Sequence, residues 1–122
     1  MKKATHTKKI GDQGEKLALN FLIKKKFSLV QRNYHSRYGE IDLIMKNEEL
    51  IIFVEVRLRS SQNFGGALAS VDYRKQAKLI KCAQYYLLKH PTKLNLRFDV
   101  IAISPLESQH EIQWVPNAFD EF

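Results

Sequence analysis

Apolar positions in this chain recur at two periods, and the changes between them mark its elements. Over residues 11 to about 26, Leu17, Ala18, Phe21 and Leu22 recur at helical spacing and form one apolar stripe. Lys24, Lys25 and Lys26 stand near its end, where cations suit the negative pole of a helix dipole. Asp12 and Glu15 have the spacing of a capping box. Residues 28–34 read as a first strand, and His35, Ser36, Arg37 and Tyr38 as a turn. Residues 39–59 (G-E-I-D-L-I-M-K-N-E-E-L-I-I-F-V-E-V-R-L-R) are two apolar runs joined by Lys46-Asn47-Glu48-Glu49, the pattern of a β-hairpin. Residues 60–66 (S-S-Q-N-F-G-G) read as a glycine-rich flap. Asp72 is placed to cap a second helix running to about His90, with Ala77, Ile80, Ala83 and Leu87 toward the core and Pro91 ending it. Two more strands are expected over residues 96–104 and 111–115. The order α-β-β-β-α-β-β predicts an α/β fold, a sheet with helices packed on it.

The hairpin is unusual in carrying acids inside apolar arms. An unpaired carboxylate removed from water costs several kcal/mol or takes up a proton instead, so these acids require a function or a partner. Alternation puts Ile41, Leu43 and Met45 on one side of the first arm and Glu40, Asp42 and Ile44 on the other. With an even loop, Met45 opposes Leu50, Asp42 opposes Phe53 and Glu40 opposes Glu55, so Glu40, Asp42, Glu55 and Arg57 share a face. Asp42 and Glu55 are then diagonal neighbours with backbones about 7 to 8 Å apart, a gap that a cation can bridge. An odd loop would separate them.

Glu15 has two readings: a cap for its helix, or a third acid, since it shares a helical face with Ala18, Leu19 and Leu22 that would meet the sheet. Asp42, then Glu55-Val56-Arg57, with Glu15 upstream, suits one or two hard divalent cations such as Mg²⁺. Such ions choose carboxylates and water, and a bound water can attack a phosphodiester polarised by the metal. A cation two residues after the Glu would orient that water and stabilise the charge that builds up.

Composition narrows the setting. The 122 residues suffice for one domain, 10–122, preceded by a basic arm over residues 1–9 that includes Lys8 and Lys9. No apolar run approaches the roughly 20 residues of a membrane span, and the basic N-terminus lacks the apolar segment of a secretory signal, so a cytoplasmic protein is expected. The single cysteine, Cys82, reads as a buried structural thiol. A net charge of +7 with a pI near 9.6 favours polyanionic partners. Lys8, Lys9, Arg59, Arg74 and Lys78 are the candidate contacts to a nucleic-acid backbone.

The runs G-D-Q-G-E-K-L-A (11–18), R-N-Y (32–34), G-E-I-D-L-I (39–44), F-V-E-V-R (53–57), F-G (64–65), V-D-Y-R-K (71–75), R-F-D-V (97–100) and N-A-F (117–119) together resemble the YraN family. That family of small bacterial proteins is similar to the restriction-endonuclease-like nucleases, including archaeal Holliday junction resolvases. The resemblance covers residues 10 to 119 and implies a central mixed β-sheet flanked by helices. It implies Glu15, Asp42 and Glu55 as metal-site acids, with Arg57 where the nuclease pattern has lysine, and a homodimer as the working form. Arginine stays protonated and cannot serve as a general base, but it can clamp a phosphate. Lys75, within V-D-Y-R-K, is the candidate to supply the missing ammonium.

Three functions are consistent with these residues. One is a Mg²⁺- or Mn²⁺-dependent endonuclease acting on DNA phosphodiesters, branched or damaged DNA being the expected form, with Glu15, Asp42, Glu55, Arg57 and Lys75 as its catalytic set. The second is a non-catalytic nucleic-acid-binding protein on a degenerate nuclease fold, its binding steeply salt-dependent. The third is structural, with the acids paired to Arg37, Arg57, Arg59 and Arg97 in a satisfied polar network.

Overall fold

The two sequence periods resolve into helices α1 (Lys2–Lys24) and α2 (Tyr73–Lys89) and strands β1 (Ser28–Ser36), β2 (Gly39–Lys46), β3 (Leu50–Leu58), β4 (Asn95–Pro105) and β5 (His110–Phe119). The computed structural model describes residues 2–58, 71–105 and 110–119, with side chains described from residue 11 onward except at 105 and 110. The strands form a single mixed sheet in the order β1-β2-β3-β4-β5. Three pairings are antiparallel, and β3–β4 is parallel because α2 carries the chain back between them. The order α-β-β-β-α-β-β and the α/β class are as expected from the sequence.

The sheet is buried on both faces. On one, Ala18 and Leu22 of α1 pack on Leu43, Met45, Ile52, Val54, Ile101 and Ile103. On the other, Leu79, Cys82, Ala83 and Tyr86 of α2 pack on Ile41, Ile44, Phe53, Phe98 and Val100. β3 is central, which is why five successive residues from Ile51 to Glu55 are buried. Cys82 is buried, as expected.

The structure corrects several expectations. α1 begins at Lys2, so the start expected at residue 11 lies inside it, and the arm expected over residues 1–9 is helical from Lys2 onward. The side chains of Lys8 and Lys9 lie outside the described residues. Asp12 and Glu15 form no capping box, because the helix runs straight through both. In α2, Asp72 caps as expected, accepting a hydrogen bond from the Lys75 N–H at 2.9 Å. Ala77, however, is exposed. The buried stripe runs through Leu79, Cys82, Ala83 and Tyr86, and Ala77 stands nearly half a turn from its centre.

The hairpin register is two residues from the expected one: Leu43 opposes Val54, Ile44 opposes Phe53 and Met45 opposes Ile52. The Asn47 N–H closes the turn on the Leu50 carbonyl at 2.9 Å, and Asn47 Oδ1 accepts from the Glu49 N–H at 2.9 Å. A slip of two leaves every side chain on its original face, so hydrophobic alternation cannot distinguish the two registers. The Asn47 turn makes the choice.

Alternation also breaks once within β2. Leu43 and Met45 face α1, whereas Ile41 joins Ile44 on the α2 face. The break falls at Asp42. On the neighbouring strand it is matched by Asn33, which has φ of 51° between the pairs Arg32–Leu43 and Tyr34–Ile41. Asparagine tolerates this left-handed conformation better than most residues.

At the far side of the sheet Asp99 is fully buried and satisfied. It accepts from Arg97 Nε and Nη2 at 2.8 Å each, from Trp114 Nε1 at 3.0 Å and from the Asn117 N–H at 3.0 Å. This network ties β5 to β4.

Candidate metal and nucleic-acid site

The alternation break at Asp42 makes the site. Ladder pairing of β2 with β3 stops at Leu43–Val54, and one residue on, the Asp42 Oδ2 accepts the Val56 N–H at 2.8 Å. The carboxylate thus occupies the seam between two parting strands and borders a cleft on either side. One cleft, of about 290 Å³, is lined by Glu40, Asp42, Glu55, Lys75 and Lys78. The other, of about 310 Å³, is lined by Gly11, Glu15, Asp42, Val56, Arg57 and Leu58. A larger opening of about 570 Å³ lies at the hairpin tip between Lys26, Lys46 and Glu48. It collects exposed charges of both signs and no buried titratable group, so volume is a poor guide to the chemistry.

α1 delivers Glu15. Gly14 is buried against the end of β3, where an added Cβ would lie 2.5 Å from Leu58 Cδ2. A glycine here lets the helix settle on Leu58 and brings the next residue over the seam. Oxygens of Glu15, Glu40 and Asp42 then fall within 4.8 Å of one another. Arg32 of β1 faces Glu15 across 3.6 Å, too long for a hydrogen bond, and both Glu15 Oε1 and Arg32 Nε are buried without hydrogen-bond partners.

The electrostatics follow from this crowding. Burial raises the Glu15 pKa, with Arg32 opposing the rise. Burial, and next the neighbouring Glu55 carboxylate, pushes Asp42 up to about 8, against the lowering effect of the Val56 N–H. The raised pKa keeps the proton on Asp42, because a second charge beside the Glu55 carboxylate is poorly solvated there. Glu55 itself is matched by cations. Its Oε2 lies 2.9 Å from Lys75 Nζ and 3.4 Å from Arg57 Nη1, with its side chain 5% exposed.

Glu15, Asp42, Glu55, Arg57 and Lys75 are therefore brought together from four separate elements, α1, β2, β3 and α2. Asp42 and Glu55 are closer to directly opposed than diagonal, a consequence of the two-residue change in register. Lys78 lines the cleft, and Arg74 is exposed on α2. Arg59 and the flap at residues 60–66 lie outside the described residues. Of the arginines expected in a purely structural network, Arg57 meets Glu55, but Arg97 holds Asp99 and Arg37 holds Tyr38. Sequence reasoning had Glu40 on the acidic face without a role as a ligand, and it gave Arg32 none. The pairing of R-N-Y with the acidic arm was the signal for Arg32, since Arg32 lies opposite Leu43, next to Asp42.

The donor set suits a hard cation. Three carboxylates offer oxygen only, Glu15 Oε1 is a buried acceptor with no hydrogen bond to lose, and a divalent ion would displace the proton held at Asp42. Glu15, Glu40 and Asp42 are the residues placed to hold it, with Glu55 adjoining.

Known proteins match this chain over most of its length. The model of the Uncharacterised protein family UPF0102 matches residues 14–103. UPF0102 protein NE0711 of Nitrosomonas europaea is 50% identical over 111 residues, covering 91% of this chain and 93% of its own. UPF0102 protein lpg2994 of Legionella pneumophila is 47% identical over 116 residues, covering 93% of this chain and 97% of its own. The match begins at the glycine that seats α1 and runs through both acidic strands into β4, and on these grounds the chain belongs to family UPF0102, the YraN family.

Proposed function

We propose that this protein is a Mg²⁺- or Mn²⁺-dependent phosphodiesterase, an endonuclease of the cytoplasm acting on DNA, with branched or damaged DNA as its substrate form. The observation that carries the reading is the convergence of Glu15, Glu40 and Asp42 oxygens within 4.8 Å, beside a Glu55–Lys75 pair at 2.9 Å. When bound, the cation would polarise a phosphoryl oxygen and lower the pKa of a water. A cation bound between Asp42 and Glu15 would take the place of the proton that Asp42 otherwise holds. Glu55 accepts from Lys75 and so keeps its ammonium aimed into the cleft. Arg57 stands at the other side of the seam, where its fixed positive charge can clamp a phosphate. Lys78 and Arg74 extend the positive field along α2. A homodimer, one domain to each strand of a duplex, belongs to the same reading.

A second reading has one observation in its favour. Glu55 is already neutralised by two cations, Lys75 and Arg57, as it would be in a nucleic-acid-binding protein that has given up its metal. One experiment separates the two: incubation of single-stranded, duplex, flapped and four-way-junction DNA with Mg²⁺ or Mn²⁺, for wild type, Asp42→Asn and Glu55→Gln. Cutting that is lost in both variants while binding survives supports the nuclease. Binding without cutting, unchanged by either substitution, supports the binding protein.

A further inference from the structure

One face of α2 carries a row of cations: Arg74, Lys81 and Lys89 are exposed, Lys78 borders the carboxylate cleft, and Tyr85 among them packs partly on the core. Arg74, Lys78, Lys81, Tyr85 and Lys89 recur at intervals of four, three, four and four residues, so they fall within an arc of about 80° and mark successive turns over about 22 Å. The four cations are exposed and Tyr85 is partly so. The helix carries five lysines and arginines and no acid. The stripe starts beside the proposed catalytic cleft, which Lys78 lines together with Glu40 and Asp42. Gly39, which closes the β1–β2 turn with φ of 144°, lies within van der Waals reach of α2 there, 3.8 Å from its Cβ position to the Lys78 Cβ.

About three quarters of the way along, at Tyr85, the β1–β2 turn adds a second aromatic group. Tyr38 meets Tyr85 edge to face with ring centres 6.1 Å apart, and Lys89 Nζ lies 5.4 Å from the Tyr85 ring centre. Arg37 Nη2 donates to the Tyr38 hydroxyl at 2.8 Å while its Cζ is 5.0 Å from the ring centre, so the guanidinium sits at the hydroxyl rim of the ring. Three cations lead from the acids to a pair of aromatic rings, Tyr85 and Tyr38, which Lys89 and Arg37 flank.

We propose that this stripe, Arg74-Lys78-Lys81-Tyr85-Lys89 with Arg37 and Tyr38 beside it, is a track for one unpaired strand of nucleic acid leading to the carboxylate cleft. The proposal rests on the nuclease reading and names the substrate element that it engages. Cations at one per helical turn follow a single row of phosphates, and the tyrosines offer surfaces that only an unstacked base can use. A duplex presents two phosphate rows and stacks its bases away from such rings. An anionic lipid surface would call for a run of aliphatic side chains among the cations, whereas the exposed Leu88 stands only at the edge of the stripe.

The test reads binding in EDTA, where no cutting competes, by fluorescence anisotropy of labelled oligo(dT) and of a duplex of equal length across a salt series. Lys81→Gln/Lys89→Gln should weaken oligo(dT) binding about tenfold and flatten its log–log salt slope by about 1.4, the value for two lost phosphate contacts on a single strand. Tyr85→Leu should weaken oligo(dT) about fivefold or more and leave the duplex unchanged, with Tyr85→Phe like wild type. If Tyr85→Leu fails to fold, the double lysine variant and its slope decide alone. Wild-type oligo(dT) affinity and slope in that variant, equal losses for single strand and duplex, or preference for phosphatidylglycerol vesicles lost through the same lysines would each overturn the track. Track binding by a protein that cuts nothing with Mg²⁺ or Mn²⁺ would remove the nuclease reading and leave the track. Cutting that persists while the stripe variants bind like wild type would do the reverse.

Discussion

Lys75 Nζ lies 2.9 Å from Glu55 Oε2, so the ammonium at the acidic seam comes from helix α2, twenty residues further along the chain than the carboxylate it meets. Arg57, two residues from Glu55 on the same strand, shares that oxygen at 3.4 Å. The site therefore has both an ammonium and a guanidinium, which meet on one carboxylate oxygen and line different clefts.

Lys75→Ala should lower any metal-dependent cleavage by about 10²-fold or more, the usual loss when a charge aimed at a transition state is removed. Stability should fall by only about 1 kcal/mol, since Arg57 remains as a partner and the Lys75 side chain is 43% exposed. Single-turnover cleavage and urea unfolding would read the two effects. A variant cleaving like wild type would remove Lys75 from the site.

Arg57→Lys, made in the Lys75→Ala background, tests whether position matters or only charge. Partial recovery of cleavage is expected, because an ammonium two residues after Glu55 can reach the same carboxylate. If the double variant stays as inactive as Lys75→Ala, the two cations have separate duties and the shared-oxygen geometry is incidental.

Asp42 gives the metal-free protein a pH dependence of predictable sign. Burial and Glu55 raise its pKa to about 8, whereas in the unfolded chain it titrates near 4. Between those values the folded state binds the extra proton, so stability in EDTA should fall as pH rises from about 4 to about 8. Asp42→Asn should remove most of that fall. Mg²⁺ or Mn²⁺ should raise the melting temperature more near pH 8 than near pH 5, because the cation replaces the proton. Thermal melts in EDTA and in metal, at both pH values, would check it. A wild-type curve parallel to that of Asp42→Asn would count against the assignment.

Asp99→Ala should be the costly substitution with no consequence for the cation site. It strips a fully buried carboxylate from four donors and leaves Arg97 and the Trp114 indole N–H unmatched, at a cost of about 3 kcal/mol. Urea unfolding measures the cost. Mn²⁺ titration of the folded fraction should match wild type, since Asp99 lies two strands from Asp42.

Much of this architecture was legible in residue spacing. Leu17, Ala18, Phe21 and Leu22 announced a helix, the β-branched run of β3 announced a buried strand, and Asp72 announced the start of α2. The acids of the hairpin were conspicuous because Asp42 and Glu55 sit in runs that otherwise exclude charge, and a buried carboxylate always demands compensation. Parity alone placed them at one seam, since a slip of two residues in register changes no side chain's face.

What the sequence by itself determined was the order of elements, the even register and the presence of a costly acidic group. What only the tertiary structure decided was how that cost is met. Asp42 opens the β2–β3 ladder to take the Val56 N–H, Gly14 seats α1 on Leu58 so that Glu15 and Glu40 close on Asp42, and Lys75 reaches Glu55 from another helix. Local spacing decides which residues share a face wherever the backbone period holds, and in β2 it fails only where the strand breaks at Asp42 and carries Ile41 to the α2 face. Charge compensation is not local: it depends on which distant elements the buried sheet draws together, and that is set by packing on both of its faces.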